Sequence, residues 1–277
     1  MRIVDTVDAM MQVRSDLDGT VGFVPTMGFL HDGHLALMKQ ARSDTDTVVA
    51  SIFVNPTQFG PGEDFERYPR DFERDESLAR QVGVDFLFYP KPEDMYPAGY
   101  ASYVVPDKLD RHLCGASRPG HFRGVMTVVL KLFTIVRPTD AYFGQKDIQQ
   151  ARILEQMVRD FHLPVSMHIE PIVRETDGLA MSSRNVYLSA AERSQAISLN
   201  QALKQAATAF RDGERSAEAL KRGIRSHITA QDLARIDYVE IVDDRTLEPV
   251  EHLAEPAIAA VAVHFGKTRL IDNILLR

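Results

Sequence analysis

Residues 47–54 (TVVASIFV) form a β-branched, almost unbroken apolar run, the mark of a parallel strand that must be covered on both faces. The chain around it alternates short apolar runs with helical ones. Residues 21–26 read as a strand, followed by a Gly/His segment and then Leu35, Leu37, Met38 and Ala41 at helical spacing. A polar, proline-rich loop spans residues 55–69, residues 71–81 look helical, residues 84–89 look like another buried strand, and residues 90–97 are again proline-rich. Val125, Val128, Val129, Leu132, Phe133 and Val136 fall on one face of a helix that Arg137-Pro138 ends. Ala141-Tyr142-Phe143 is a short strand running into Gly144, residues 147–161 a helix, and residues 165–169 a strand. Such alternation predicts an α/β fold, a parallel sheet with helices on both faces, whose ligands bind beyond the carboxyl ends of the strands.

After about residue 175 the texture changes. One long helical pattern covers residues 190–212, with Leu199, Leu203, Ala206 and Phe210 on one face, and a second covers residues 216–228. Strand-like runs follow at residues 236–242, 257–263 and 268–274, which together predict a smaller α+β C-terminal domain. The boundary is expected within residues 173–177, giving domains 1–174 and 175–277. With 277 residues and 44% hydrophobic content the chain is long enough for two cores.

Charge and cysteine usage exclude several classes. The net charge is −7 and no Lys/Arg run forms a nucleic-acid patch, so nucleic acid is not an expected partner. The single cysteine, Cys114, rules out an intramolecular disulfide framework and a Cys-based zinc site, and suits a reducing compartment. The N-terminal residues lack the pattern of a signal peptide, and no apolar run nears the roughly 18 residues of a membrane span. A soluble, cytoplasmic protein is expected, with no membrane partner.

Three clusters carry chemistry. Directly between a strand and a helix lies Pro25-Thr26-Met27-Gly28-Phe29-Leu30-His31-Asp32-Gly33-His34. Helix N-termini attract phosphates, glycines let backbone approach a ligand, and His31 and His34 can donate to phosphate oxygens as charge builds up at the α-phosphate. An isolated histidine at a helix start is ordinarily a cap or a surface residue; the strand-Gly-His-x-Gly-His-helix context favours a nucleotide. Zinc on these two histidines lacks an obvious third ligand nearby. Met181-Ser182-Ser183-Arg184-Asn185 offers two hydroxyls and a guanidinium suited to a triphosphate whose outer groups leave as pyrophosphate. Alone it reads as an ordinary surface loop; with the upstream loop it resembles the second signature of the nucleotidyltransferase superfamily. Phe143-Gly144-Gln145-Lys146-Asp147 lies at a strand end, where Lys146 supplies a point charge and Asp147 is either a helix cap or a contact to ribose or metal-bound water; a plain capped turn fits it equally. Gln150, one turn on, faces the same way.

Thr26-Met27-Gly28-x-Leu30-His31-x-Gly33-His34, Asn55-Pro56-Thr57-Gln58-Phe59, Tyr68-Pro69-Arg70, Phe143-Gly144-x-Lys146-Asp147-x-Gln149-Gln150 and 179–185 (LAMSSRN) together resemble the pantoate:β-alanine ligase family. The resemblance implies a Rossmann-like N-terminal domain binding ATP and pantoate, a C-terminal lid, a homodimer, and Mg2+ with ATP. It implies condensation of pantoate with β-alanine through a pantoyl adenylate, releasing pyrophosphate and AMP. By position, Met27, Gly28, Phe29, Leu30, His31, Asp32, Gly33, His34, Gly144, Gln145, Lys146, Asp147, Val173, Met181, Ser182, Ser183 and Arg184 would bind ATP. His34, His31 and Lys146 would act in catalysis, with no metal-ligating side chain assigned. Gln58 and Gln150 would hold pantoate, Gln58 would also help place β-alanine, and Asn55, Tyr68 and Arg118 are weaker substrate candidates. Gln145 stands where the family commonly has glutamate, which removes a charge beside Lys146.

Other readings differ in what they leave unexplained. A different small nucleotidyltransferase would share the His-x-Gly-His loop but has no reason for the 55–59 and 143–150 segments. A truncated tRNA-charging enzyme would need a basic surface, and a nucleotide sensor would not need the full His, Lys and Arg set. Cys114 has no apparent base beside it except His112, so a structural role is expected.

Overall fold

The computed structural model describes residues 1–254 and 256–277. In chain order its elements are β1 (Arg2–Val4), α1 (Val7–Ser15), β2 (Val21–Thr26), α2 (Asp32–Asp44), β3 (Thr47–Ile52), α3 (Phe72–Gln81), β4 (Phe86–Phe88), α4 (Pro92–Met95), α5 (Leu113–Ser117), α6 (His121–Val136), β5 (Asp140–Gly144), α7 (Ile148–Asp160) and β6 (Ser166–Glu170). They continue with α8 (Ala190–Ala196), α9 (Ser198–Arg211), α10 (Ala217–Thr229), β7 (Ala234–Asp243), β8 (Ala257–Phe265) and β9 (Thr268–Leu276). The described chain divides into two compact units, and the division is not linear. The first holds Met1–Asp107, Arg118–Gly144 and Gln150–Pro171; the second holds Lys108–Ser117, Gln145–Gln149 and Ile172–Arg277.

In the first unit six strands form one parallel sheet in the order β1-β4-β3-β2-β5-β6, the expected α/β architecture. Both faces are covered, which is why β2 and β3 read as continuous apolar runs. Their side chains still alternate: Phe23 meets Phe133 of α6 edge-on at 6.4 Å, while Val24 joins the cluster of Leu35, Leu37, Met38 and Ala41 from α2 on the opposite face. The strand order reverses between β2 and β5, the switch point where ligands bind in such sheets.

The second unit has a three-stranded antiparallel sheet, β7-β8-β9. Ala202, Leu203 and Ala206 of α9 and Leu220, Ile224 and Ile228 of α10 bury an apolar stripe with Val239, Ile241, Val261 and Val263 of that sheet. One expectation is corrected here. The single helix expected over residues 190–212 is two, because the chain turns at Ile197; the Ser189/Glu192 capping box starts α8, whereas the apolar periodicity belongs to α9. The N-terminal residues also form β1 and α1, the latter capped by Thr6; a three-residue edge strand is too short to show periodicity. No described helix is long and apolar enough to cross a membrane.

Candidate active site

Beyond the carboxyl end of β2 the chain makes a tight turn before α2. Gly28 (φ 81°) and Phe29 (φ 49°) both occupy the left-handed region. Thr26 Oγ1 accepts from the Gly28 N–H at 3.1 Å and donates to the Ser51 carbonyl at 2.7 Å, tying the loop to β3. The Phe29 and Leu30 N–H groups both donate to the carboxylate of Asp75 on α3, at 2.6 and 2.7 Å. These N–H groups are therefore committed within the protein, and the Leu30 side chain is wholly buried in the core. What the loop presents is the start of α2, with Asp32 exposed and Gly33 and His34 half-buried. The His31 and His34 rings stack with centroids 4.0 Å apart, and the His31 N–H donates to His34 Nδ1 at 3.4 Å. The two imidazoles thus sit together at the start of α2, and an imidazole N–H is a donor suited to a phosphate oxygen.

After β3, Asn55 caps a 3-10 turn over Pro56–Gln58. Asn55 is 1% exposed and its amide is fully used: Nδ2 donates to Gln58 Oε1 and the Gly124 carbonyl, both at 3.1 Å, while Oδ1 accepts from Tyr96 OH at 2.8 Å and Thr57 Oγ1 at 3.0 Å. Its role in this structure is to orient Gln58. The Gln58 Nε2 points at Met27 Sδ, 3.0 Å away, so a substrate candidate and a nucleotide candidate touch. A thioether is a weak acceptor, which leaves that amide with donor capacity for a stronger oxygen.

The Gln58 carbonyl in turn meets His121 Nδ1 at 2.8 Å and Arg118 Nη2 at 3.4 Å. Arg118 is clamped by Glu63, with Nε–Oε1 at 2.8 Å and Nη2–Oε2 at 2.6 Å. Burial pushes the Glu63 carboxyl up, but the Arg118 guanidinium outweighs it and holds the group below its usual range. Tyr68 is buried, edge-on to Phe59 at 6.0 Å, and Gln150 is half-buried in the first turn of α7.

In the second unit, Gln145, Lys146 and Asp147 form a 3-10 turn directly after Gly144, which ends β5. Asn273 of β9 holds this turn: its Nδ2 donates to the Gln145 carbonyl at 2.9 Å and the Lys146 carbonyl at 3.0 Å, and its Oδ1 accepts from Gln145 Nε2 at 3.1 Å. Lys146 Nζ is 3.4 Å from Asp147 Oδ2. The neighbouring Asp272, 3% exposed, binds both terminal nitrogens of Arg174, at 2.6 and 2.9 Å. Val173 accepts from the Met181 N–H at 3.0 Å, closing a hairpin that leads into 182–184, where Ser182 Oγ accepts from the Arg184 N–H at 3.3 Å and Ser183 is buried. Asn185 secures this segment through Glu175 Oε1 (2.7 Å) and the Ala180 carbonyl (3.1 Å).

Comparison with known proteins bears on what these loops serve. Residues 2–275 match the family model for pantoate-beta-alanine ligase. The pantothenate synthetase of Thermotoga petrophila is 57% identical over 279 aligned positions, covering the whole of both chains. The chain belongs to the pantoate-beta-alanine ligase family. It is accordingly a ligase that joins pantoate to β-alanine. The crystal structure of pantothenate synthetase from Thermus thermophilus superposes with a TM-score of 0.94 at 49% identity, covering 99% of each chain. That of pantoate-beta-alanine ligase from Francisella tularensis, complexed with beta-gamma ATP and beta-alanine, does so with a TM-score of 0.83 at 36% identity, over 100% of this chain and 98% of that one.

Against this ligase background, the groups that sequence reasoning missed are those that hold the loops: Asp75, Gly124, Asp272 and Asn273. None lies in a motif, and their partners are more than 40 residues away in sequence. Only a fold can reveal them. Cys114 is buried, with Tyr238 OH at 3.3 Å and the Arg269 guanidinium nitrogens at 3.6 Å from its sulfur, while its N–H donates to Gln149 Oε1 at 2.9 Å. These contacts serve packing within the second unit.

Proposed function

We propose that the turn after β2 and the start of α2 bind the ATP phosphates, with His34, His31 and Lys146 stabilising charge, and that Gln58 and Gln150 hold pantoate, Gln58 also helping to place β-alanine. Met27 to His34, Gly144 to Asp147, Val173 and 181–184 make up the ATP-binding set, with Tyr68 and Arg118 near pantoate and Asn55 acting through Gln58. Residues 1–174 bind ATP and pantoate and residues 175–277 serve as the lid. The observation that carries this reading is His34 at the first turn of a helix that follows the switch-point strand, its ring stacked on that of His31.

The chemistry runs in two displacements. A pantoate carboxylate oxygen attacks the α-phosphorus, the bond to the bridging oxygen breaks, and pyrophosphate leaves. The β-alanine amine then attacks the acyl carbon and loses a proton, the acyl–oxygen bond breaks, and AMP leaves with pantothenate formed. Activation is needed because a carboxylate would have to expel oxide, whereas AMP is a good leaving group. The protein's part is to position the reactants, to meet the charge growing on the α-phosphate with an imidazole N–H of His34 and the ammonium of Lys146, and to keep water from the anhydride.

Mg2+ fits this site as a companion of ATP. Among the described residues no three His, Cys, Asp or Glu side chains form a metal-binding group, while Asp147 beside Lys146 offers a single carboxylate. Mg2+ is commonly held by one or two carboxylates together with phosphates and water, and when bound it neutralises triphosphate charge. A homodimer in the cytoplasm completes the proposal, the latter suited by the lone cysteine.

The deciding experiment is pantoate-dependent exchange of labelled pyrophosphate into ATP, with Mg2+ present and β-alanine absent, for the parent chain and His34→Ala. Exchange in the parent and a loss of about a hundredfold or more in the variant are expected. A parent that binds ATP without exchange would remove the adenylate, and a fully active variant would remove His34 from the mechanism.

A further inference from the structure

We propose that Asp75 is a positioning residue for adenylation: its buried carboxylate, by taking the Phe29 and Leu30 N–H groups, sets the turn that brings His31 and His34 to the start of α2. The inference rests on the reading of that turn as the ATP loop. Asp75 sits on α3, outside every motif, and is 1% exposed. Its two oxygens take one N–H each, at 2.6 and 2.7 Å, the short distances of charge-assisted bonds.

Three features show that the turn needs such a clamp. Phe29 holds a positive φ, a conformation that side-chain-bearing residues adopt only when surroundings impose it. The carboxylate grips this residue on its own N–H. Gly28 lies so close that an added Cβ would stand 2.9 Å from Ile52 Cγ2 and 3.0 Å from Asp75 Oδ2, so the turn is pressed between β3 and the carboxylate. On the outer side, the Arg74 guanidinium covers the Phe29 ring at 5.2 Å and lies 3.6 Å from the carboxylate.

Stability alone does not explain an ionised group here. Burial pushes the Asp75 carboxyl above its ordinary value, against the lowering effect of the two N–H groups and Arg74. A carboxyl whose folded pKa is raised makes the fold less stable as pH climbs from the unfolded value through the folded one, so at neutral pH the charge is a burden on the fold. What the charge provides is two acceptors on one side chain. An amide cannot supply both, since its NH2 would face one of the two N–H groups.

The test compares Asp75→Asn, Asp75→Glu, Gly28→Ala and His34→Ala in the full chain, by pantoate-dependent pyrophosphate exchange with separate ATP and pantoate titrations, alongside thermal melting. Asp75→Asn should lose about a hundredfold in exchange efficiency toward ATP, the scale of an ångström-level misplacement, with the pantoate KM nearly unchanged and melting close to the parent's. Gly28→Ala, which pushes the turn from the intact carboxylate, should show the same ATP-selective loss, but Gly28 itself lies in the proposed ATP-binding set. Asp75→Glu, which keeps the charge and both acceptors on a longer side chain, therefore decides the matter by the same loss if Asp75→Asn does not fold. A crippled His34→Ala beside a folded Asp75→Asn, Asp75→Glu or Gly28→Ala with parental ATP kinetics would overturn the role of Asp75 and leave the ATP loop standing. Equal loss toward both substrates would reduce Asp75 to a structural residue. A fully active His34→Ala would instead remove the loop reading on which the inference rests.

Discussion

Gly124 shows how a single atom's absence shapes the site. It lies in the first turn of α6, and a Cβ there would stand 2.3 Å from the Thr57 carbonyl oxygen and 2.7 Å from the Gln58 Cα. The helix thus packs backbone to backbone on the turn that carries Gln58, and Asn55 bonds the Gly124 carbonyl across the same contact. Helix propensity alone would make Gly124→Ala stabilising by about 1 kcal/mol. The contact predicts the opposite sign, a loss of about 1–3 kcal/mol typical of overpacking, together with a raised pantoate KM as Gln58 shifts. Urea unfolding and pantoate titration check both, and a stabilised variant with unchanged KM would mean that the turn yields without consequence. His31, His34 and Gln58 could be singled out as candidates from the sequence because each stands in a motif. Gly124 and Asp75 could not, because a glycine in an apolar helix and an aspartate in a charged one look ordinary until their neighbours are known.

At the scale of elements, β9 does more than close a small sheet. Its adjacent residues Asp272 and Asn273 reach two separate stretches of chain, Arg174 in the hairpin that leads to 181–184 and the 145–147 turn. The two proposed ATP segments of the second unit are therefore fixed to one strand. Asn273→Ala would leave the Gln145 and Lys146 carbonyls without their donor, costing about 1–3 kcal/mol locally. The expected outcome is faster amide exchange over residues 145–149 and a several-fold higher ATP KM, with β7 and β8 still protected. Unchanged exchange and kinetics would show that the turn holds itself. The strand was visible because residues 268–274 carry Thr268, Leu270, Ile271 and Ile274 among polar residues. Such a pattern could not show which neighbours the strand's polar residues grip, nor that the pattern over residues 190–212 is broken at Ile197.

At the scale of the whole molecule, the succession from β2 to β6 was legible because the central parallel strands, buried on both faces, leave their own apolar runs. The path of the chain between units was not. Lys108–Ser117 and Gln145–Gln149 belong to the second unit though they lie within the first 174 residues. Gln149 binds the Leu109 and His112 carbonyls and the Cys114 N–H, Cys114 meets Tyr238, and the 145–147 turn depends on Asn273. The apolar cluster that α9 and α10 form with the three-stranded sheet is drawn, among the described residues, from Leu179 onward. An asymmetry follows for fragments cut at the boundary expected from sequence. Residues 175–277 keep their core and should retain protected amides in α9, α10 and β8. Residues 1–174 keep the six-stranded sheet but lose Tyr238 and Asn273, so their sheet amides should stay protected while residues 108–117 and 145–149 exchange freely. Hydrogen exchange on the two fragments and the full chain measures this directly. Full-chain protection of 108–117 in the isolated 1–174 fragment would mean that this segment is held by its own neighbours, and that the sequence boundary at 174 is also the boundary of cooperative folding.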